Sequence, residues 1–134
     1  MSEDIRWKQR FINFEKSTKH LESALNIPDP DIIHKAGIIQ FFEMTYELGW
    51  KLLKDYLEYQ GFNDVGTPRK VIKTAFEAGL VNNGHLWMEL MLDRNLTAHT
   101  YDEERASEVE VLIHQKYFPI LKELYETFRI KNNE

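Results

Sequence analysis

Apolar residues recur at intervals of three and four positions along most of this chain, and that spacing is the period of an α-helix. The first segment carries such a stripe on Trp7, Phe11, Phe14, Thr18, Leu21 and Leu25. Most of the 6 glycines and 4 prolines lie between the periodic segments, where they mark turns. We therefore expect an all-α fold in one domain over residues 1–134: an antiparallel helical bundle of about five helices, with a four-helix up-and-down core plus a short helix.

The second periodic segment, from Asp31 to Tyr59, is apolar on two stripes instead of one. One stripe comprises Phe41, Thr45, Leu48, Leu52, Tyr56 and Tyr59, and the other comprises Phe42, Tyr46, Gly49, Leu53 and Leu57. Such breadth requires two burying partners, and Gly49 within it predicts a point where another helix crosses closely. A chain of this size covers one stripe easily, so the surplus predicts an isologous homodimer through this helix.

Capping residues set the ends of the remaining helices. Thr67 followed by Pro68 predicts the start of a short third helix that ends at Gly79. A fourth helix is expected from Gly84 to about residue 96. A fifth helix begins after Asp102 as N-cap, and we expect a kink or a break at Pro119 because proline cannot donate a backbone hydrogen bond.

Composition excludes several functional classes. Cysteine is absent, which rules out disulfides, thiolate zinc sites and a cysteine nucleophile, and which fits the cytoplasm. The net charge is −5, so any contact with nucleic acid requires a local basic patch. No stretch approaches 18 apolar residues, so we expect a soluble cytoplasmic protein with no membrane partner.

Three spacings resemble known sites but lack an essential part. Gly61 and Gly66 have the separation of the glycines in a phosphate-binding loop, but Thr67 stands where that loop has lysine. His85 and Glu89 share a helix face but have no third metal ligand at a recognisable spacing. Glu43 and Glu47 also share a face, as catalytic carboxylates do, yet a surface pair next to Lys51 needs no special explanation and is the interpretation we favour. We expect this chain to bind neither a metal nor a cofactor.

The segment from Asp93 to Tyr101 combines an arginine, an amide, a histidine and a tyrosine at the junction of two helices. His99 can move a proton near neutral pH, and Arg94 offers a permanent cation that fits a phosphate. Cleavage of an RNA phosphodiester requires both, a base for the 2′-hydroxyl and a cation for the charge that develops at phosphorus. The alternative is structural: Arg94 pairs with a core carboxylate and His99 closes the inter-helix turn.

A second basic group lies near the start of the third helix and comprises Arg69, Lys70 and Lys73. These side chains could contact phosphate or a partner protein. The alternative is an ordinary solvent-exposed face, because three cations on an acidic chain need no special explanation.

The pattern Arg94-x4-His99-x-Tyr101, with Asn95 directly after the arginine, resembles the motif of the HEPN superfamily of small helical proteins. Further stretches resemble the nucleotidyltransferase substrate-binding protein family within it, which is related to the HepT-like toxins. These stretches are Arg6 to Phe11, Phe42-Glu43, Trp50 to Leu57, Pro68-Arg69 and Asp93 to Asp102. The likeness therefore spans nearly the whole chain.

This resemblance implies a dimeric bundle encoded beside a minimal nucleotidyltransferase, which carries the metal and nucleotide chemistry. Such pairs are two-component enzymes or toxin–antitoxin modules. By position, the ribonuclease roles of the related toxins fall on Arg94 and His99, with Asn95 in support, and the role of nucleotidyl acceptor falls on Tyr101.

Two functional hypotheses follow. The leading one is an accessory, substrate-binding subunit that docks the nucleotidyltransferase and presents Tyr101 or a bound substrate to it. The alternative is a metal-independent ribonuclease that acts through Arg94 and His99 on RNA.

Overall fold

Every regular element is helical in residues 3–94 and 102–134, the part of the chain that the computed structural model describes. The elements are α1 (Glu3–Leu25), α2 (Ile32–Tyr59), α3 (Pro68–Glu77), α4 (Gly84–Asp93), α5 (Glu103–Leu112), a π-helical turn (Ile113–Tyr117) and α6 (Phe118–Asn132). The last three follow one another without a gap and form a single rod. The predicted all-α bundle of about five helices is therefore confirmed.

Helix α2 is the centre of the bundle, packing against α1, α3, α5 and α6. Both of its apolar stripes are used, since Phe42 and Leu53 are as fully buried as Leu52. At Gly49 a methyl group would lie 3.1 Å from a ring carbon of Phe14 on α1 and 3.5 Å from a methyl carbon of Leu124 on α6. The predicted helix crossing at Gly49 is confirmed, because a methyl group there would be crowded by the ring of Phe14 and would touch Leu124 at an ordinary contact distance.

The burial of α2 also bears on the predicted homodimer. Phe42, Tyr46 and Leu53 are buried within one chain, while Trp50 is half-buried. The chain's own helices thus cover most of the apolar surplus from which we predicted a dimer. That prediction now depends on the family resemblance.

Side-chain caps begin the helices as the sequence predicts. The Thr67 hydroxyl accepts the backbone N–H of Lys70 at 3.3 Å, and the Asp102 carboxylate accepts that of Glu104 at 3.1 Å. Gly61 ends α2 with φ +96°, in the left-handed region that favours glycine. These local signals fix where α2 ends and where α3 and α5 begin.

The interruption predicted near Pro119 is a π-helical turn, and the chain remains helical through it. The N–H of Phe118 donates to the carbonyl of Ile113, five residues back instead of four. Within this turn the Tyr117 hydroxyl donates to the carboxylate of Asp93. The turn therefore ties the long C-terminal rod to the end of α4.

No helix in the described ranges is long and apolar enough to cross a lipid bilayer.

Candidate functional site

Arg94 caps the C-terminal end of α4 and reaches across to the centre of α2. Its Nη2 atom lies 2.9 Å from Oε1 of Glu47. The other oxygen of Glu47 accepts the indole N–H of Trp50 at 3.1 Å and lies 4.0 Å from Nζ of Lys51. Glu47 therefore holds the arginine and the indole of Trp50 together on one side of the bundle.

This ion pair lies at the surface, not in the core. The side chains of Arg94 and Glu47 are 37% and 33% exposed. The structural alternative was that Arg94 pairs with a core carboxylate. Arg94 does pair with a carboxylate, but that carboxylate is accessible to solvent and does not belong to the core. An accessible, fixed guanidinium is also what recognition of an anionic substrate requires.

Tyr46, one position before Glu47, is buried beneath the pair. Burial and, to a smaller extent, the charge of Glu47 raise the pKa of Tyr46 to about 12, while the charge of Arg94 acts to lower it. The phenol is therefore neutral at physiological pH, and its protonation is sensitive to both members of the pair.

An open groove of about 360 Å³ lies between α2, the end of α4 and the start of α3, with Arg94 in its lining. Its walls combine aromatic and apolar side chains with one hydroxyl, one carboxylate and two guanidinium groups: Tyr46, Glu47, Trp50, Thr67, Pro68, Arg69, Met91, Leu92 and Arg94. We call it the Arg94 groove. Its volume falls within the range of ligand pockets, about 300–1,000 Å³.

The structure divides the second basic group. Arg69 lines the Arg94 groove, whereas Lys70 and Lys73 line a separate groove that also includes Phe62 and Glu77. The three cations therefore do not line one shared groove, and their contact with phosphate or a partner stays a prediction. Of the three, only Arg69 lines the same groove as Arg94. The spacing of the cations along α3 does not indicate which of them faces that groove.

The rest of the motif lies outside the described residues. Asn95, His99 and Tyr101 fall between Arg94 and Asp102, and their predicted roles stay predictions. The two ends of that segment are described: α4 ends at Asp93, and the cap Asp102 starts α5.

Asp93 fixes the end of α4 immediately before the motif. It accepts the hydrogen bond of Tyr117, and burial together with the Asp93 carboxylate raises the pKa of Tyr117 well above its ordinary value. Both residues line a small cavity of about 80 Å³ between α4 and α5. Sequence reasoning missed this anchor because Tyr117 belongs to an apolar stripe, where a hydroxyl leaves no trace in the periodicity.

The other spacings singled out in the sequence lead to ordinary surface contacts. Nε2 of His85 lies 3.3 Å from Glu89, which also contacts Lys116 at 3.6 Å. Glu47 is engaged by Arg94 and Trp50. No group of three or more His, Asp or Glu side chains that could hold a metal is found among the described residues.

Comparison with known proteins identifies a family for this chain. Residues 9–130 match the family described as nucleotidyltransferase substrate binding protein like. A protein of Haemophilus influenzae named probable ribonuclease HepT is 37% identical over 78 residues, which cover 55% of this chain and 53% of that protein. The match thus spans about half the length of that curated relative.

A crystal structure of a protein from Thermus thermophilus has the same fold. Its TM-score is 0.73 and its sequence identity 31%, and the superposition covers 90% of this chain and 99% of that one. Since the family match extends over most of the chain, we conclude that this protein belongs to the nucleotidyltransferase substrate-binding protein family.

Proposed function

We propose that this chain is a metal-independent ribonuclease that cleaves RNA with Arg94 and His99. The observation that carries the proposal is the position of Arg94, which is held by Glu47, lines an open groove and stands directly before the rest of the motif. The similarity to a protein named probable ribonuclease HepT supports it.

In this mechanism His99 acts as general base and Arg94 stabilises charge. His99 removes the proton of a 2′-hydroxyl, and the resulting oxygen attacks the adjacent phosphorus. The bond from phosphorus to the 5′-oxygen breaks, and that oxygen takes up a proton, leaving a 2′,3′-cyclic phosphate. Arg94 faces the non-bridging oxygens, on which negative charge develops in the transition state.

The test is RNA cleavage by the purified chain in the presence of a chelator. Replacing His99 with Ala should lower the rate by about 10²–10⁴, the usual contribution of general acid–base catalysis. His85→Ala is the matched control, because His85 is an exposed histidine on α4 whose contact is with Glu89. Intact RNA after incubation with unmodified wild-type protein would refute the ribonuclease, and so would equal losses in the two variants.

A second function is favoured by the family description. We propose that a separately encoded minimal nucleotidyltransferase docks on this chain and transfers a nucleotidyl group to Tyr101, which would control the ribonuclease as in a toxin–antitoxin pair. Both RNA and such a partner are found in the cytoplasm. The phenolic oxygen of Tyr101 attacks the α-phosphorus of the nucleotide, and pyrophosphate leaves.

Co-expression with the neighbouring nucleotidyltransferase, followed by size exclusion and intact mass measurement, tests this function. We expect co-elution and a mass gain of one or more nucleotidyl groups. Tyr101→Phe should fold and dock normally but gain no mass, while Tyr59→Phe, at an exposed tyrosine of α2, should be modified like the wild type. Full modification of Tyr101→Phe would move the acceptor to another residue.

We also propose that the chain is an isologous homodimer, as the family resemblance implies. Two copies would bring two motif segments together. Light scattering at micromolar concentration should give twice the mass of the chain, and a monomer under those conditions would contradict the proposal.

A further inference from the structure

The Arg94 groove contains more than the motif arginine. Arg69 also lines it, is exposed and forms no ion pair with a carboxylate of the described residues. It lies in the first turn of α3, where the helix dipole adds to the positive potential. In a chain of net charge −5, the groove thus has two arginines among its lining residues, against the single carboxylate of Glu47.

An aromatic face accompanies the two cations. The indole of Trp50 lines the groove and is half-buried, and its N–H is fixed by Glu47 at 3.1 Å. Because the indole N–H is the only hydrogen-bond donor of this side chain and is already engaged, the ring is fixed in orientation and offers an apolar face. Aromatic side chains beside cations are the elements with which proteins bind single-stranded nucleic acid: a base stacks on the ring and a phosphate pairs with the cation.

We propose that the Arg94 groove binds one unpaired nucleotide of the RNA substrate, with its base stacked on Trp50 and its phosphate paired with Arg69. The inference rests on the proposed ribonuclease function and adds the recognition of a nucleotide next to the cleaved bond. The volume of about 360 Å³ is that of a small-ligand pocket. A base can stack on Trp50 only when it is free of its own helix, which favours a single-stranded substrate over a duplex.

The neighbouring lysines provide a matched control. Lys73 lies on the same helix as Arg69 and carries the same charge, but it lines the other groove. Removing either cation changes the net charge of the chain equally. A difference between the two variants therefore reports the location of the RNA and excludes a general electrostatic effect.

The experiment measures binding without cleavage, in full-length protein that carries His99→Ala. A fluorescein-labelled single-stranded oligoribonucleotide is titrated by anisotropy at several salt concentrations. Arg69→Ala should reduce the slope of log K against log salt by about 0.7, the value for one phosphate contact to a single strand, and Lys73→Ala should leave the slope unchanged. Equal effects of the two substitutions would overturn the proposal.

Tryptophan fluorescence tests the stacking. Trp7 and Trp87 are buried, so quenching by an unlabelled oligoribonucleotide should come from Trp50. Trp50→Leu should abolish the quenching and weaken binding about tenfold. If circular dichroism shows that Trp50→Leu does not fold, Trp50→Phe replaces it in the anisotropy assay. Its affinity for the oligoribonucleotide should then be severalfold lower than that of the protein with Trp50. Undiminished quenching or binding in the folded variant would overturn the stacking.

Two comparisons separate this inference from the ribonuclease itself. If wild-type protein cleaves RNA while the Arg69 and Trp50 variants bind it normally, the groove inference is wrong and the ribonuclease stands. If binding depends on both residues but wild-type protein leaves RNA intact, the ribonuclease is wrong and the groove stands. Adenosine 5′-monophosphate should bind at least tenfold more weakly than the oligoribonucleotide, and equal affinity would assign the groove to free nucleotides instead.

Discussion

Replacing Tyr46 with Phe should make this protein more resistant to alkali. Tyr46 ionises near its ordinary pKa of about 10 in the unfolded chain and near 12 in the folded one. The raised pKa means that the phenol ionises less readily in the folded state than in the unfolded state. The free energy of unfolding therefore keeps its full value below pH 10 and falls as the pH rises toward 12. At pH 11 the loss is about 1.4 kcal/mol, and well above pH 12 it approaches about 2.7 kcal/mol.

The assay is urea unfolding of the wild type and of Tyr46→Phe, followed by circular dichroism between pH 8 and pH 11. The difference between their free energies of unfolding should shift by about 1.4 kcal/mol in favour of Phe over that range. Other titrating groups are shared by both proteins and cancel in the difference. A difference that stays constant with pH would refute the reasoning.

Glu47→Gln supplies a second perturbation of the same pKa. The carboxylate of Glu47 raises the pKa of Tyr46, so its removal should lower that pKa and reduce the alkaline loss of stability. This variant probes the contact between the ion pair and the buried phenol without any assumption about function. An unchanged alkaline loss would mean that Glu47 does not act on Tyr46.

Three further substitutions test the packing around the site, each by urea unfolding at pH 7. Gly49→Val should cost about 1–3 kcal/mol, because its side chain would overlap the ring of Phe14, and stability equal to wild type would contradict the close crossing. Tyr117→Phe should cost about 1–3 kcal/mol by leaving the carboxylate of Asp93 without its donor, and a neutral effect would disprove that anchor. Asp102→Ala should cost about 1 kcal/mol through loss of the helix cap, which a change below about 0.3 kcal/mol would rule out.

The sequence predicts those parts of the fold that depend on nearby residues. Thr67 and Asp102 accept hydrogen bonds from backbone N–H groups two or three residues further along the chain. Both partners of each cap are therefore visible in a short stretch of sequence. The crossing at Gly49 is likewise predictable, because a glycine in a broad apolar face implies a close neighbour. Which helices meet there, α1 and α6, is decided by packing over the whole bundle.

The candidate site was only half predictable for the same physical reason. Arg94 stands out because of the motif, but its partner Glu47 has Lys51 four positions away on α2, and spacing alone favours that pair. Arg69 could not be separated from Lys73 by spacing, since they share a helix. Such contacts depend on how α3 and α4 approach α2, which periodicity does not encode.

The π-helical turn has a consequence for the register of the C-terminal rod. A turn that closes over five residues contains one more residue than an α-helix would at that place, and each residue of an α-helix advances the side chains by about 100°. The wider turn takes up the extra residue, so α5 and α6 keep the rotational phase of a regular helix that is one residue shorter. Deleting one position between Ile113 and Tyr117 would therefore restore regular helix and leave Ala106 and Val109 facing the core, whereas the same deletion within α5 or α6 would rotate one end of the rod by about 100° unless the bundle repacks.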